Sequence, residues 1–147
     1  MLMMFRVPGV TRPHQVCNRV VSLMDVYPTL VELAGLPRPS RIDGNSLVPL
    51  LKDCNAPWNF PALSAYQSNM TVRTDGYRLI RYKDGTTELY DEAKDPHEWT
   101  NQSKNPEFAE TQRKLAMFLP AQNAMAPSVD EIRGGSGKSK STSRANE

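Results

Sequence analysis

Cysteine and histidine are scarce in this chain of 147 residues, two of each. Cys17 and Cys54 stand far apart with no Cys-x-x-Cys spacing, which excludes a disulfide framework and a structural zinc site. One disulfide and two unrelated free thiols both stay open, and the second is the reading adopted. His14, in the polar loop Thr11–Gln15, reads as a solvated residue, and His97, within Asp95–Asn101, as part of a hydrogen-bonded turn. So few imidazoles give a His-rich metal cluster or a Ser-His-Asp triad little to draw on. An excess of one charge is also missing: 18 Lys and Arg against 16 Asp and Glu leave +2, too little to argue for a nucleic-acid partner or an anionic membrane surface. Arg133 to Glu147 holds four basic residues and one acidic, so this tail carries +3 and the rest of the chain −1. No run reaches the roughly 18 apolar residues of a membrane span, because Ser22, Asp25, Pro28 and Glu32 break Val20–Leu36. Neither a Gly-x-Gly-x-x-Gly nor a phosphate-loop pattern occurs, and Gly134–Lys138 lacks both the preceding strand and the spacing.

What is present, 39% hydrophobic and 23% charged residues, is the composition of a globular protein with one core. Leu2–Val7 followed by Pro8-Gly9 is a short apolar run with a breaker, the pattern of a buried strand rather than of a leader peptide. Asp25 is placed to cap a helix with Val26, Leu30, Leu33 and Ala34 on one face, and Pro28 falls in its first turn. Gly35 is placed to end that helix in a left-handed cap, and Pro37 and Pro39 prevent its continuation. After the Asp43-Gly44 turn, Ser46–Leu51 reads as a short apolar turn or helix. The stretch from Asp53 to Pro61, with Trp58, reads as a connecting loop and a boundary.

Beyond it the hydrophobic period changes to that of strands. Ala62–Gln67, Met70–Thr74, Tyr77–Lys83 and Thr86–Tyr90 are short runs rich in Tyr, Thr, Val, Leu and Ile, and Asp75-Gly76 and Asp84-Gly85 are strong hairpin signals. An antiparallel meander of three or four strands is expected. Asn105-Pro106 opens a final helix with Phe108, Leu115, Phe118 and Leu119 on one face, closed by Leu119-Pro120. The Gly/Ser/Lys-rich stretch over 128–147 is expected to be disordered. Asp91, Glu92, Asp95 and Glu98 lie close together but lack the Asp-x-Asp-x-Asp-Gly register of a calcium loop and read as solvated turn residues. Trp58, Trp99 and the five tyrosines read as core and sheet residues rather than sugar platforms.

Several of these segments, in this order, resemble the C-terminal region of the formylglycine sulfatases. Val21–Leu36 resembles the helix near the end of their catalytic domain, and Asp43–Leu51 the segment after it. Val72–Ile80 resembles a hairpin of their small C-terminal subdomain, and Glu88-Leu89-Tyr90-Asp91 with Asp95–Asn101 resembles its hallmark strand and turn. Among sulfatases the version is similar to the bacterial iduronate-2-sulfatase-like group. The resemblance implies an α/β fold, α+β for this piece alone: the last strand and helix of an alkaline-phosphatase-like core over 1–52, an antiparallel sheet plus helix over 53–127, and the tail over 128–147. It also implies a calcium-dependent hydrolase of sulfate esters on sulfated sugars, from a family commonly exported.

The family's chemistry uses a formylglycine made from the cysteine of Cys-x-Pro-Ser-Arg, a calcium held by Asp and Asn or Gln, and Lys and His residues that stabilise the sulfate and protonate the leaving group. Pro37-Arg38-Pro39-Ser40-Arg41 mimics that motif with proline in place of cysteine, and proline has no thiol to oxidise. No catalytic or metal residue is therefore carried over. The chain is expected to be the C-terminal portion of a sulfatase, with no cofactor of its own, inactive without an N-terminal half. The partners implied are that half and a sulfated carbohydrate, with no nucleic acid and no membrane. Tyr66 and Gln67, at the meander entrance, are the candidate substrate contacts. The competing expectation is a noncatalytic module that binds a protein or glycan.

Overall fold

Leu23 opens a turn that must satisfy several backbone N–H groups at once, and the neighbouring side chains are suited to do so. In a computed structural model, which describes residues 2–120, Ser22 accepts from the Met24 N–H while Asp25 reaches back to the Ser22 N–H at 2.7 Å. That reciprocal capping box starts a 3-10 turn, Leu23–Asp25, which runs into helix α1, Val26–Leu33. The cap is thus Ser22, and Asp25 is its third-position partner rather than the cap itself. Gly35, at φ 66°, supplies the left-handed end expected of it.

Asp25 is buried, and its second oxygen accepts from the Asn45 N–H at 2.8 Å. One turn on, the fully buried Thr29 hydroxyl donates to the Asp25 carbonyl and accepts from the Leu47 N–H at 2.8 Å. Residues 44–47 are thereby laced to the start of α1, and helix α2, Val48–Lys52, follows with Pro49 in its first turn. Gly44 makes the close approach possible: a Cβ there would collide with the Met24 carbonyl. Arg38 donates to the Gly44 carbonyl at 2.7 Å from outside.

This lacing turns α1 differently from the expected apolar face. Pro28, Thr29 and Val31 are buried, whereas Leu30 is 54% exposed and Ala34 faces solvent. Residues 2–7 alternate in burial as a strand does, with Met3 and Phe5 inward and Leu2 and Met4 outward, and they pair with no strand among the described residues; a ladder for them needs a neighbouring strand. Met3, Phe5, Val21, Leu47, Leu50, Leu51 and Trp58 form the first apolar cluster, and the Trp58 indole donates to the Val20 carbonyl at 3.0 Å.

The meander is present as four strands in sequence order: β1 Ala62–Tyr66, β2 Asn69–Arg73, β3 Tyr77–Arg81 and β4 Thr87–Asp91, each antiparallel to the next. Strand alternation puts Leu63, Met70, Val72, Leu79 and Leu89 on one face. Helix α3, Ala109–Ala116, crosses that face after a turn over Pro106–Phe108 capped by Asn105; its Leu115 packs there together with Phe108 before the helix and Leu119 after it. Phe118, expected on the same face, points largely away. The architecture is α+β. No described helix is long and apolar enough to cross a membrane. The tail over 128–147, expected to be disordered, lies outside the described residues.

The Gly44 contact yields a stability test. Gly44→Ala is expected to lower the unfolding free energy in urea by about 3 kcal/mol or more, because backbone must move to admit the methyl. Gly76→Ala, whose added Cβ meets nothing within 4 Å, is expected to stay within about 0.5 kcal/mol of the parent. Equal effects would show that the lacing tolerates a looser 44–47 segment.

Candidate functional site

The β1–β2 turn is the most constrained exposed point of the sheet. Tyr66 pairs with Asn69, leaving only Gln67 and Ser68 to turn the chain, and both take left-handed backbone at φ 46° and 67°. Such a two-residue turn matches the twist of a hairpin but favours Gly or Asn, so two other residues there store strain. The tip is held in place by Asn69, whose side-chain oxygen accepts the Lys83 N–H at 3.0 Å and ties it to the β3–β4 connection. Tyr66 is 73% exposed and Gln67 is exposed as well.

Tyr66 belongs to the sheet face opposite α3. By the register, Thr71, Arg73, Arg78, Ile80, Glu88 and Tyr90 share that face. Near the tip, the Tyr82 and Tyr90 hydroxyls both donate to Glu88 Oε2, at 2.9 and 3.0 Å. The carboxylate stabilises the protonated phenols. Tyr82 is raised above the ordinary tyrosine range chiefly by that hydrogen bond, and Tyr90 by burial first and Glu88 second. The array offers aromatic faces, an amide and hydroxyl groups, the chemistry that recognises a polyhydroxylated ligand. It contains no nucleophile paired with a base.

At the far end of the same face, Arg73 and Arg78 are direct cross-strand partners, a repulsive placement. The turn after β4 neutralises both: Glu92 pairs with Arg73 at 2.9 Å, and Glu98, at φ 58°, brings both oxygens onto Arg78 Nη1 at 2.8 and 2.9 Å. Burial raises the Glu92 carboxyl; Arg73 opposes this and neighbouring Glu98 adds to it. Asp95 accepts the Thr100 N–H at 2.8 Å, which holds its carboxyl below the usual range. Asp91 is buried against the Lys94 N–H and ammonium. These four carboxylates are therefore spent on protein partners rather than solvated. Among the described residues no group of three His, Cys, Asp or Glu is arranged to hold a metal ion.

His14 is exposed in a turn at φ 59°. The turn expected around His97 is present, and the imidazole stacks on Trp99 with ring centres 4.9 Å apart. Trp99 is 83% exposed, not a core residue as read from composition. A groove of about 300 Å³ lies elsewhere, in the first cluster, lined by Met3, Phe5, Arg12, Cys17, Leu50 and Cys54 among others; neither Tyr66 nor Gln67 reaches it. The two units meet at the opposite end of the sheet from the tip. There Asp75 accepts from the Val20 N–H at 2.9 Å and from Arg19 at 2.7 Å, an ion pair that raises the guanidinium. Tyr66 and Gln67 are the candidates that the sequence offers; Asn69, Glu88 and the Asp75 contact, which the structure adds around them, have no local signal.

Comparison with known proteins adds the remaining findings. The family described as N-sulphoglucosamine sulphohydrolase, C-terminal, matches residues 1–124. A protein named sulfatase from Formosa agariphila is 40% identical over 105 residues, 71% of this chain and 21% of its own length. Arylsulfatase K of Homo sapiens is 37% identical over 110 residues, 64% of this chain and 20% of its own. The chain thus spans about a fifth of the length of these relatives. Among solved structures, BT4656 in complex with its substrate D-glucosamine-2-N,6-O-disulfate aligns with a TM-score of 0.54 at 30% identity, over 63% of this chain and 22% of that one. A phosphonate monoester hydrolase of Agrobacterium radiobacter shares the fold at a TM-score of 0.51 and 24% identity, over 63% and 23% of the two chains.

The tyrosine pair gives a pH test whose sign follows from the donors. A phenol raised in the folded state adds stability that is complete at neutral pH and is lost as pH rises through the raised value. Glu88→Ala is expected to bring Tyr82 down towards the ordinary tyrosine range, and Tyr90 down less, since burial remains. Tyrosinate absorbance followed through alkaline titration reads both, and a curve unchanged by the substitution would contradict the shared-carboxylate account.

Proposed function

Because the chain belongs to the family of N-sulphoglucosamine sulphohydrolase C-terminal domains, we propose that it forms the C-terminal part of a sulfuric ester hydrolase acting on sulfated sugars. The observation that carries this reading is the family match over residues 1–124. The sulfated glucosamine substrate named for BT4656, which is similar in sequence and fold, supports the substrate class. In this reading residues 1–52 complete the catalytic core and 53–127 form the accessory subdomain. Nucleophile, calcium ligands and proton donor belong to sequence other than this chain, which alone is inactive.

The contribution of this chain is then recognition. Tyr66 offers a ring face to the apolar side of a pyranose, and the Gln67 amide both donates and accepts towards hydroxyl or sulfate oxygens. The two-residue turn and the Asn69 bond fix the backbone that carries both side chains before the ligand arrives, which lowers the ordering cost of binding. Within the class, iduronate 2-sulfate is the substrate proposed, after the resemblance of the chain to the iduronate-2-sulfatase-like group.

The test uses a complete sulfatase carrying this C-terminal part. Gln67→Ala is expected to raise KM for a 2-O-sulfated iduronate disaccharide about tenfold with kcat little changed, the signature of lost uniform binding, read by sulfate release. Unchanged turnover and affinity would sink the contact. Hydrolysis by the 147-residue chain alone would overturn the division of labour, and tight glycan binding without hydrolysis in the complete protein would favour a noncatalytic module.

A further inference from the structure

Cys17 and Cys54, 37 positions apart, meet in the folded chain: the Cys17 thiol donates to the Cys54 carbonyl at 3.8 Å, and Gln15 Nε2 donates to Cys54 Sγ at 3.5 Å. They are the only cysteines present. Both are free, Cys17 exposed and Cys54 half-buried, and both line the groove of the first cluster, which opens them to dissolved reagents. Neither 15–22 nor 53–57 outside residue 54's turn belongs to a helix or strand, so a small backbone shift between them breaks no ladder.

We propose that Cys17 and Cys54 are a redox pair that closes into an intramolecular disulfide under an oxidising thiol poise. With oxidised glutathione as the oxidant, the Cys17 thiolate, the more exposed, attacks one of its sulfurs; the glutathione S–S bond breaks and one glutathione leaves as thiolate. The Cys54 thiolate then attacks the Cys17 sulfur of the mixed disulfide and expels the second glutathione. The two cysteines lose two protons and two electrons, and oxidised glutathione takes them up to become two reduced molecules. The bridge ties the segment leading to α1 onto the loop after α2, and it restricts the unfolded chain more than the folded one. The state of the pair thus sets how firmly the extended residues 2–17 are held against the first cluster.

The full chain, equilibrated with oxidised glutathione, alkylated and digested with trypsin without reduction, is expected to yield Val7–Arg19 linked to Asp53–Arg73, about 2 Da below the sum of the reduced peptides. The melting midpoint is expected to rise by at least about 5 °C and to return on treatment with dithiothreitol. Cys17→Ser, a near-isosteric change at an exposed site, is expected to show one glutathione adduct on Cys54 and no such rise. Glutathione adducts on both peptides, disulfide-linked dimers, full alkylation of both cysteines, or a linked pair that leaves the melting midpoint in place would each overturn the proposal.

Discussion

The buried carboxylate of Asp25 is the interaction on which the first half of the structure depends. It accepts from the backbone N–H groups of Ser22 and Asn45, and the Thr29 hydroxyl repeats the arrangement one turn later for Leu47. A polar acceptor taken out of water is tolerated only when it is hydrogen-bonded, and here each carboxyl oxygen accepts from a backbone donor that would otherwise be orphaned at a helix start or a loop. The same bonds decide which side of α1 faces inward. They bring the 44–47 loop across the Asp25–Thr29 side, and Tyr27 and Leu30 are left outside.

The sheet follows a different logic, in which polar groups finish what strand pairing leaves incomplete. β4 is an edge, and its Leu89 N–H and carbonyl are taken by the Asn101 side chain at 3.1 Å and the Gln102 N–H at 2.7 Å. The hallmark turn over Asp95–Asn101 is therefore an edge cover, built on the Asp95 cap and aimed at Leu89. It also delivers Glu98 to Arg78, which lets two arginines sit opposite one another on the open face. An edge closed in this way offers no unpaired row to a second chain.

Much of this was legible because it is local. Alternating Val72, Leu79 and Leu89 around Asp-Gly pairs announced the meander, Asn105-Pro106 the last helix start, and Gly35 the end of α1. The misreadings share a cause, which is that tertiary bonds overrule period. Leu30 and Ala34 keep helical spacing with Val26, yet Asp25 and Thr29 turn the helix the other way. Tyr66 and Gln67 could be singled out through resemblance to a family, whereas the strain at Gln67 and Ser68 carries no sequence signal, because neither residue is one that favours left-handed backbone. Cys17 and Cys54 looked unrelated because nothing in linear spacing reports that a loop after α2 returns to the segment before α1.

The contact between Asp75 and residues 19–20 gives the sheet a mechanical character. The two units join at the β2–β3 end, while Tyr66 and Gln67 stand at the other, a five-residue strand away. That strand is roughly 15 Å long, so a tilt of about 4° at the Asp75 end moves the hairpin tip by about 1 Å; small adjustments where the two parts of the chain join are carried along the sheet to Tyr66 and Gln67.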